Sequence, residues 1–518
     1  MISLLLRYGA AVHVALLVVY ASWARGGSAP AYFWAIPWLA LGIVELMFLL
    51  PPATEGVSPR HAVRRVWHGL LRDPIFYIGA VLILFLLLQW LNGPREMIRN
   101  PSTATWEYSP PPWPGLPFCV DRGEAAQVLL WAIGVYAILL AVRHGMHLEA
   151  RRWLLRVIVY NGAILSAVGL LHLMTDTKSL FWIRPMEVYF FSTFGYPNHA
   201  SAFFTLVTAI NLGLLFEALG GEDQERSGGG WLMIALVMNL LGVFFALGRA
   251  GMVLTLGILA LAVPYGIIYL WRRTTLATSM RLAVLTGGLA LCAGFFIFAV
   301  PNNPIIKELK TINLLQLHKQ LQGDRAELAH SAIEIWQDYP WAGVGGWGFR
   351  RYVGIYMGPE KYDYLRVAGR ANVHNDAIQY LCEHGVIGMA LILGLVFVIV
   401  GQLWFRLAMM PRKRDDGAVK SRSWFMSVSP VVWFCIIGTS ATVIHSLIDL
   451  PFRNMAIISV WFIALASAPY FVPRRPAAAT QAIPPKVTRK HIARGRSHSS
   501  SNSSSNNHHP RQEGRIIP

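Results

Sequence analysis

Residues 74–91 read PIFYIGAVLILFLLLQWL. The run carries no charge, and its apolar side chains fall on every face of a helix. A helix that is hydrophobic all round belongs in a core or in a bilayer. Eighteen residues at a helical rise cover about 27 Å, close to the ~30 Å of a membrane's hydrocarbon layer. Runs of the same kind recur at 3–22, 31–51, 125–143, 153–173, 200–218, 231–247, 251–271, 282–300, 385–406, 430–448 and 454–472. Hydrophobic residues make up 55% of the 518-residue chain and charged residues only 14%, against about 25% charged in a soluble domain. The reading is an all-α polytopic membrane protein with about 12 transmembrane helices.

The formal charge of +18 would suggest nucleic acid in a soluble protein. Here the basic residues gather in alternate short loops: Arg60, Arg64, Arg65 and Arg72; Arg143, Arg151 and Arg152; Arg272, Arg273 and Arg281; Arg406, Arg412, Lys413, Arg414, Lys420 and Arg422. That is the positive-inside pattern. It puts these loops and both termini in the cytoplasm, suits anionic membrane lipids, and removes nucleic acid as a partner. The first apolar run resembles a signal peptide but has no clean cleavage site, so it reads as an uncleaved helix. The tail after Val472 is basic and rich in Ser, Asn and His, a composition that buries no core. Cys292 and Cys435 lie inside apolar runs. Cys119 and Cys382 fall on the opposite side from the basic loops, and whether they pair is open. No clustered Cys/His metal site is present in the sequence, and neither a metal nor a cofactor is expected.

The loops on the non-basic side are longer and hold the polar motifs. The longest, 301–384, is long enough to expect a function. Asp324-Arg325-Ala326-Glu327 after Gly323 reads as a capping-box-like helix start. Leu328, Ala332 and Ile335 follow at helical spacing. Pro340 and Gly343-Val344-Gly345-Gly346-Trp347-Gly348 end that helix in a glycine-rich turn. His374-Asn375-Asp376 opens a second amphipathic helix, which runs through Gly385 into the next span. Both helices are expected on the membrane surface, joined by a flexible segment.

Several residues there have two readings. Arg249, in the short Gly248-Arg249-Ala250-Gly251 turn between two apolar runs, either snorkels to headgroups or grips a phosphate bidentately. Arg325 sits in a first helical turn, the wrong end for a cation; it is a solvated arginine or part of an anion site. His374, at a loop-to-helix junction, is structural or a general base. Asn375 or Asp376 can cap the helix. Asn198 and His199, in Tyr196-Pro197-Asn198-His199, and His445 and Asp449, in His445-Ser446-Leu447-Ile448-Asp449, either line a cavity or cap helix ends.

The order of these motifs resembles the O-antigen ligase/polymerase superfamily: Gly-Tyr-Pro-Asn-His, Gly-Arg, then Arg325, Trp336, Pro340 and the glycine turn, then His374-Asn375-Asp376, Gln379-Tyr380-Leu381 and Glu383-His384-Gly385-Val386-Ile387-Gly388, then His445 to Asp449. The resemblance spans roughly 190–455. It implies an inverting, metal-independent glycosyltransferase in the bacterial inner membrane. Arg249 and Arg325 would hold the diphosphate of an undecaprenyl-diphosphate-linked glycan donor. His374 would activate an acceptor hydroxyl at the periplasmic face, on lipid A-core or a growing glycan. Metal-dependent oligosaccharyltransferases are expected to carry paired acids in their first outer loop; Trp23 to Pro30 has none. The chain divides into an N-terminal transmembrane bundle (1–300), a periplasmic loop subdomain (301–384), C-terminal transmembrane helices (385–472) and a disordered basic cytoplasmic tail (473–518).

The acceptor is left open between ligase, polymerase and protein-glycan transferase. A secondary transporter also fits twelve spans, but no repeat relates the two halves, and the polar motifs gather on one face, His13 being the intramembrane exception. A scaffold has no need of two arginines and a histidine arrayed on one face.

Overall fold

The computed structural model describes residues 2–27, 58–99, 106–186, 189–220, 228–273, 323–357, 371–410 and 427–473, with isolated positions at 35, 39, 40, 42, 47, 49, 287, 294 and 305. Its long helices are α1 (Ile2–Trp23), α2 (Pro59–Leu71), α3 (Pro74–Leu91), α4 (Arg122–His144), α5 (Leu148–Met174), α6 (Pro197–Leu219), α7 (Gly229–Phe245) and α8 (Arg249–Arg273). After these come α9 (Asp324–Asp338), α10 (Phe349–Tyr356), α11 (Asp376–Ala408), α12 (Pro430–Ser446) and α13 (Met455–Ser467). Two small antiparallel hairpins pair Met97–Arg99 with Trp106–Tyr108 and Ser179–Leu180 with Arg184–Pro185. Six of these helices (α3, α4, α5, α6, α8 and α11) are long and apolar enough to cross a membrane; α1, α7, α12 and α13 are shorter apolar helices. The chain is an all-α membrane protein. The spans expected at 31–51 and 282–300, and the tail, lie outside the described residues.

Helix starts follow local chemistry. Asp73 caps α3, its carboxyl accepting from the Ile75 N–H, with Pro74 in the first turn where no N–H is needed. Asp121 caps α4 in the same way through Gly123 and Glu124. The central helix is α6, almost wholly buried and packed against α7, α8 and α12. It runs parallel to α8. Gly248 and Gly251 lie against Ser201 at one end, and Gly266 lies against Phe216 at the other. Small residues let these helices approach closely, and Thr205 bridges to the Thr255 hydroxyl at 2.8 Å. The intramembrane His13 donates to the Leu39 carbonyl at 2.6 Å.

Several of the basic loops converge at one end of the bundle. Arg143 donates to Asp73 at 2.7 Å, and His144 approaches the same oxygen at 2.9 Å. Arg151 and Arg406 stack over the Tyr470 ring at 3.6 and 4.5 Å, while Arg152 pairs with Glu217 at 2.8 Å. Loops far apart in sequence therefore share one end, as their charge pattern led us to expect.

At the other end α9, α10 and the start of α11 enclose a second core of Val120, Leu328, Ile335, Val344, Phe349 and Val373. Two expectations are corrected here, the capping-box start of α9 and the flexible segment that follows it. The start of α9 is not a capping box: its cap is Gly323, which has no side chain to give. The basic, aromatic stretch after the glycine turn forms α10, and it packs on α9 beside the turn. The glycine turn itself is buried, with Val344 N–H donating to Cys382 and Gly345 N–H to Glu383. Cys119 and Cys382 are separate buried thiols flanking it. Burial pushes the Cys119 thiol up to about 12. α11 bends at Gly385 (φ 62°, ψ −169°), a backbone state open essentially to glycine. There Val386 and Ile387 donate to the carbonyls of Pro340 and Trp341.

Burial by itself would raise the Asp73 pKa, but the bonds from His144 and Arg143 outweigh it and hold the carboxyl down to about 2. Its contribution is therefore complete above the ordinary carboxylate value near 4 and lost as pH falls toward 2. Asp73→Ala, which leaves Arg143 buried and unpaired, is expected to cost about 3–5 kcal/mol. Thermal unfolding in detergent, at neutral pH and through this acid range, measures both effects.

Candidate functional site

The site is built on the eight-residue connection from Leu447 to Asn454, between α12 and α13. A single buried aspartate organises it. Asp449, 2% exposed, accepts from the Tyr196 hydroxyl at 3.0 Å, from the Asn198 amide, and from its own neighbour's Leu450 N–H at 2.8 Å. His374 approaches with Nδ1 at 3.6 Å from Asp449 Oδ1, within electrostatic reach and slightly beyond a hydrogen bond. His199 donates to the Leu450 carbonyl at 3.0 Å and meets the Tyr196 ring edge-on. His445 is buried in the last turn of α12, and neither ring nitrogen has a hydrogen-bond partner among the described residues. Burial opposes ionisation of Asp449. His374, His445 and His199 outweigh it and hold the carboxyl well below the usual carboxylate range. Burial, reinforced by Asp449, pushes the Tyr196 phenol up, so it remains a donor.

The local folding explains the convergence. Tyr196 and Asn198 flank Pro197, which starts α6, so both project from that helix's first turn. His374 has φ +54°, a left-handed state that histidine adopts more readily than most residues. Asn375 caps α11 by accepting from the Ile378 N–H, and its amide donates to the Leu447 carbonyl at 3.0 Å. Of the two capping readings, Asn375 is the one realised.

Arg325 is half-buried in the first turn of α9. It donates to the Ile448 carbonyl at 3.0 Å, beside Asp449. Arg249 opens α8, which Gly248 and Gly251 hold against the first turn of α6. The two arginines, His374, Asn198, His199, His445 and Asp449 therefore occupy one end of the bundle. Asn198, His199, His445 and Asp449 were read as lining a cavity or capping helix ends, and Asp449 lies where Tyr196, Asn198 and His374 meet. Among the described residues no group of three or more His, Cys, Asp or Glu is arranged to hold a metal ion.

A second cluster lies against the first. Arg453, 4% exposed, donates to Glu383 at 2.7 Å and stands 3.7 Å from Asp376. Its guanidinium lies over the rings of Trp347 and Tyr380 at 4.7 and 4.3 Å. Burial opposes this charge too, but Glu383, Tyr380 and Asp376 raise the pKa and keep it ionised. Sequence reasoning passed over Arg453. The available signal was an arginine in a short connection between two apolar runs. Next to this cluster, α3, α4, α11, α12 and α13 enclose an apolar cavity of about 340 Å³. Its polar residues are Asp376, Ser446, Arg453 and His384, with Tyr380 and Trp347 beside them.

Asp449→Leu removes the acceptor of the half-buried Tyr196 hydroxyl, whereas the Asn198 amide still donates to that hydroxyl. One stranded O–H costs about 1–3 kcal/mol, so a fall in the unfolding temperature of the purified protein is expected, with Asp449→Asn losing less.

No curated protein matches the chain. Residues 234–393 match the family model described as O-antigen ligase. The matched segment runs from α7 into α11, containing Arg249, Arg325 and His374 and ending before Asp449. The match supports the O-antigen ligase-like superfamily for this segment of the chain.

Proposed function

We propose that this protein is a ligase-type glycosyltransferase of the bacterial inner membrane, with both termini cytoplasmic. It moves a glycan from undecaprenyl diphosphate to a hydroxyl of lipid A-core at the periplasmic face. The observation that carries this reading is the meeting of His374, the buried Asp449 behind it and Arg325 at the adjacent Ile448 carbonyl, on one short connection. With the Nδ1 side of His374 turned to Asp449, Nε2 is the nitrogen left to take a proton, the arrangement a carboxylate imposes on a general-base histidine.

The chemistry is an inverting displacement. The acceptor oxygen gives its proton to His374 and bonds the anomeric carbon on the face opposite the leaving group. The carbon–oxygen bond to phosphate breaks, and its electron pair leaves with undecaprenyl diphosphate. Arg249 and Arg325 stabilise the charge that develops there, so the reading needs no metal ion. The apolar cavity suits a hydrocarbon chain at the lipid–water boundary, which accords with two membrane-anchored substrates. A polymerase extending a lipid-linked glycan would use the same three residues and a different acceptor.

The test is transfer by the purified protein in lipid, with a chelator, from an undecaprenyl-diphosphate glycan, with and without lipid A-core. Product on lipid A-core is expected. His374→Ala should lose about 10²–10⁴-fold in kcat. Arg249→Ala and Arg325→Ala should each lose about 10²–10³-fold, with poor rescue by lysine because a point charge does not reproduce the planar fork. Longer lipid-linked chains without lipid A-core would replace the ligase by a polymerase. Loss of all transfer with chelator, restored by a divalent ion, would overturn the metal-free mechanism.

A further inference from the structure

His374 stands in an unfavourable backbone state (φ +54°) and half-exposed. A histidine so placed needs its flanking backbone held if its ring is to keep one orientation. Ties on either side of it lead to one residue. On the N-terminal side, Val373 N–H donates to Gln379 Oε1 at 3.1 Å, and Gln379 Nε2 donates to Glu383 Oε1 at 2.9 Å. Arg453 donates to the other oxygen of Glu383 at 2.7 Å. On the C-terminal side, Asp376 accepts from the Phe452 N–H at 2.9 Å, and Arg453 Nε stands 3.7 Å from its second oxygen. The Tyr380 hydroxyl adds a bond to the Phe452 carbonyl at 3.1 Å. Arg453 is also four residues along the same connection from Asp449. One guanidinium therefore grips both the segment carrying His374 and the segment carrying Asp449.

We infer that Arg453 is a positioning residue for the transfer reaction: through Glu383 and Gln379 on one side and Asp376 on the other, it fixes the backbone flanking His374 and holds the imidazole against Asp449. The inference rests on His374 acting as the base. Arg453 is not a third diphosphate ligand. It is buried between two aromatic rings and engaged by two acidic side chains, whereas Arg325 is only half-buried at the site.

Arg453→Met alone abandons two buried acids, so the decisive variant is Arg453→Met/Glu383→Gln. It removes one charge of each sign and leaves the cluster's net charge unchanged. Folding is checked by thermal unfolding. In the double variant kcat is expected to fall about 10–100-fold, the scale of an ångström's misplacement of a catalytic group, with KM for the undecaprenyl-diphosphate donor within about twofold of wild type. Arg453→Lys should fall between the two, since one ammonium cannot bridge both acids. Full kcat in a folded double variant would overturn the inference. So would a raised donor KM with kcat kept, which would make Arg453 a substrate ligand.

A second arm needs no substrate. Carbethoxylation of His374 by diethyl pyrocarbonate, followed by mass spectrometry, is expected to run several-fold faster in the double variant, because the ring is no longer held. An unchanged rate would overturn the inference by itself. If wild type transfers nothing, the functional reading fails while this arm still decides whether Arg453 holds His374.

Discussion

Taking a carboxylate out of water costs several kcal/mol unless its oxygens are filled, and Asp449 can be buried only because three separate parts of the chain fill them. Tyr196 and Asn198 come from the start of α6, Leu450 supplies its own N–H, and His374 arrives from the start of α11. Tyr196 and Asn198 lie 253 and 251 residues from Asp449 along the chain. Their shared need for a partner brings the α12–α13 connection, the first turn of the central helix and the His374-Asn375-Asp376 motif into contact. The position of Arg325 follows as well, since its guanidinium bonds the carbonyl next to this aspartate.

The two ends of the bundle use charge differently. At the basic end Asp73, Glu217 and Tyr470 engage arginines from loops distant in sequence, and the result is cohesion between helices. At the Asp449 end the acids are buried and the histidines face them. Arg453 is enclosed between rings, while Arg325 remains half-buried. That division suits an end at which a substrate charge is to be met. The cavity alongside is lined almost wholly by apolar side chains, with Asp376, Arg453, Ser446 and His384 among its few polar ones, a setting that suits a lipid-linked substrate.

Composition and periodicity determined much of this protein on their own. An apolar run the length of a bilayer has one low-energy solution, since its backbone polar groups must be satisfied within the segment; the helix Pro74–Leu91 was legible for that reason. The alternation of basic loops marked their common end, and the glycine turn was legible because glycine takes left-handed backbone states at low cost; the break at Gly385 was not, since the sequence reads as one helix running through it. The residues Arg249, Arg325 and His374 were visible as polar side chains out of place in an apolar chain.

Only the tertiary structure decided which of them act together. Asp449 in isolation is one acid after a helix, indistinguishable from a cap, and becomes the centre of a site because α6 and α11 end beside it. Arg453 is one arginine in a short connection, and its meaning comes from Glu383 and Asp376, some 70 residues earlier. The helix Phe349–Tyr356 forms where a flexible segment was expected, because Phe349 and Val353 find a core made by α9 and the glycine turn. Local pattern reports the solvent a segment prefers and the backbone states it tolerates. Pairing between distant side chains depends on where helices end in space, and that is set by packing, to which no single segment of sequence has access.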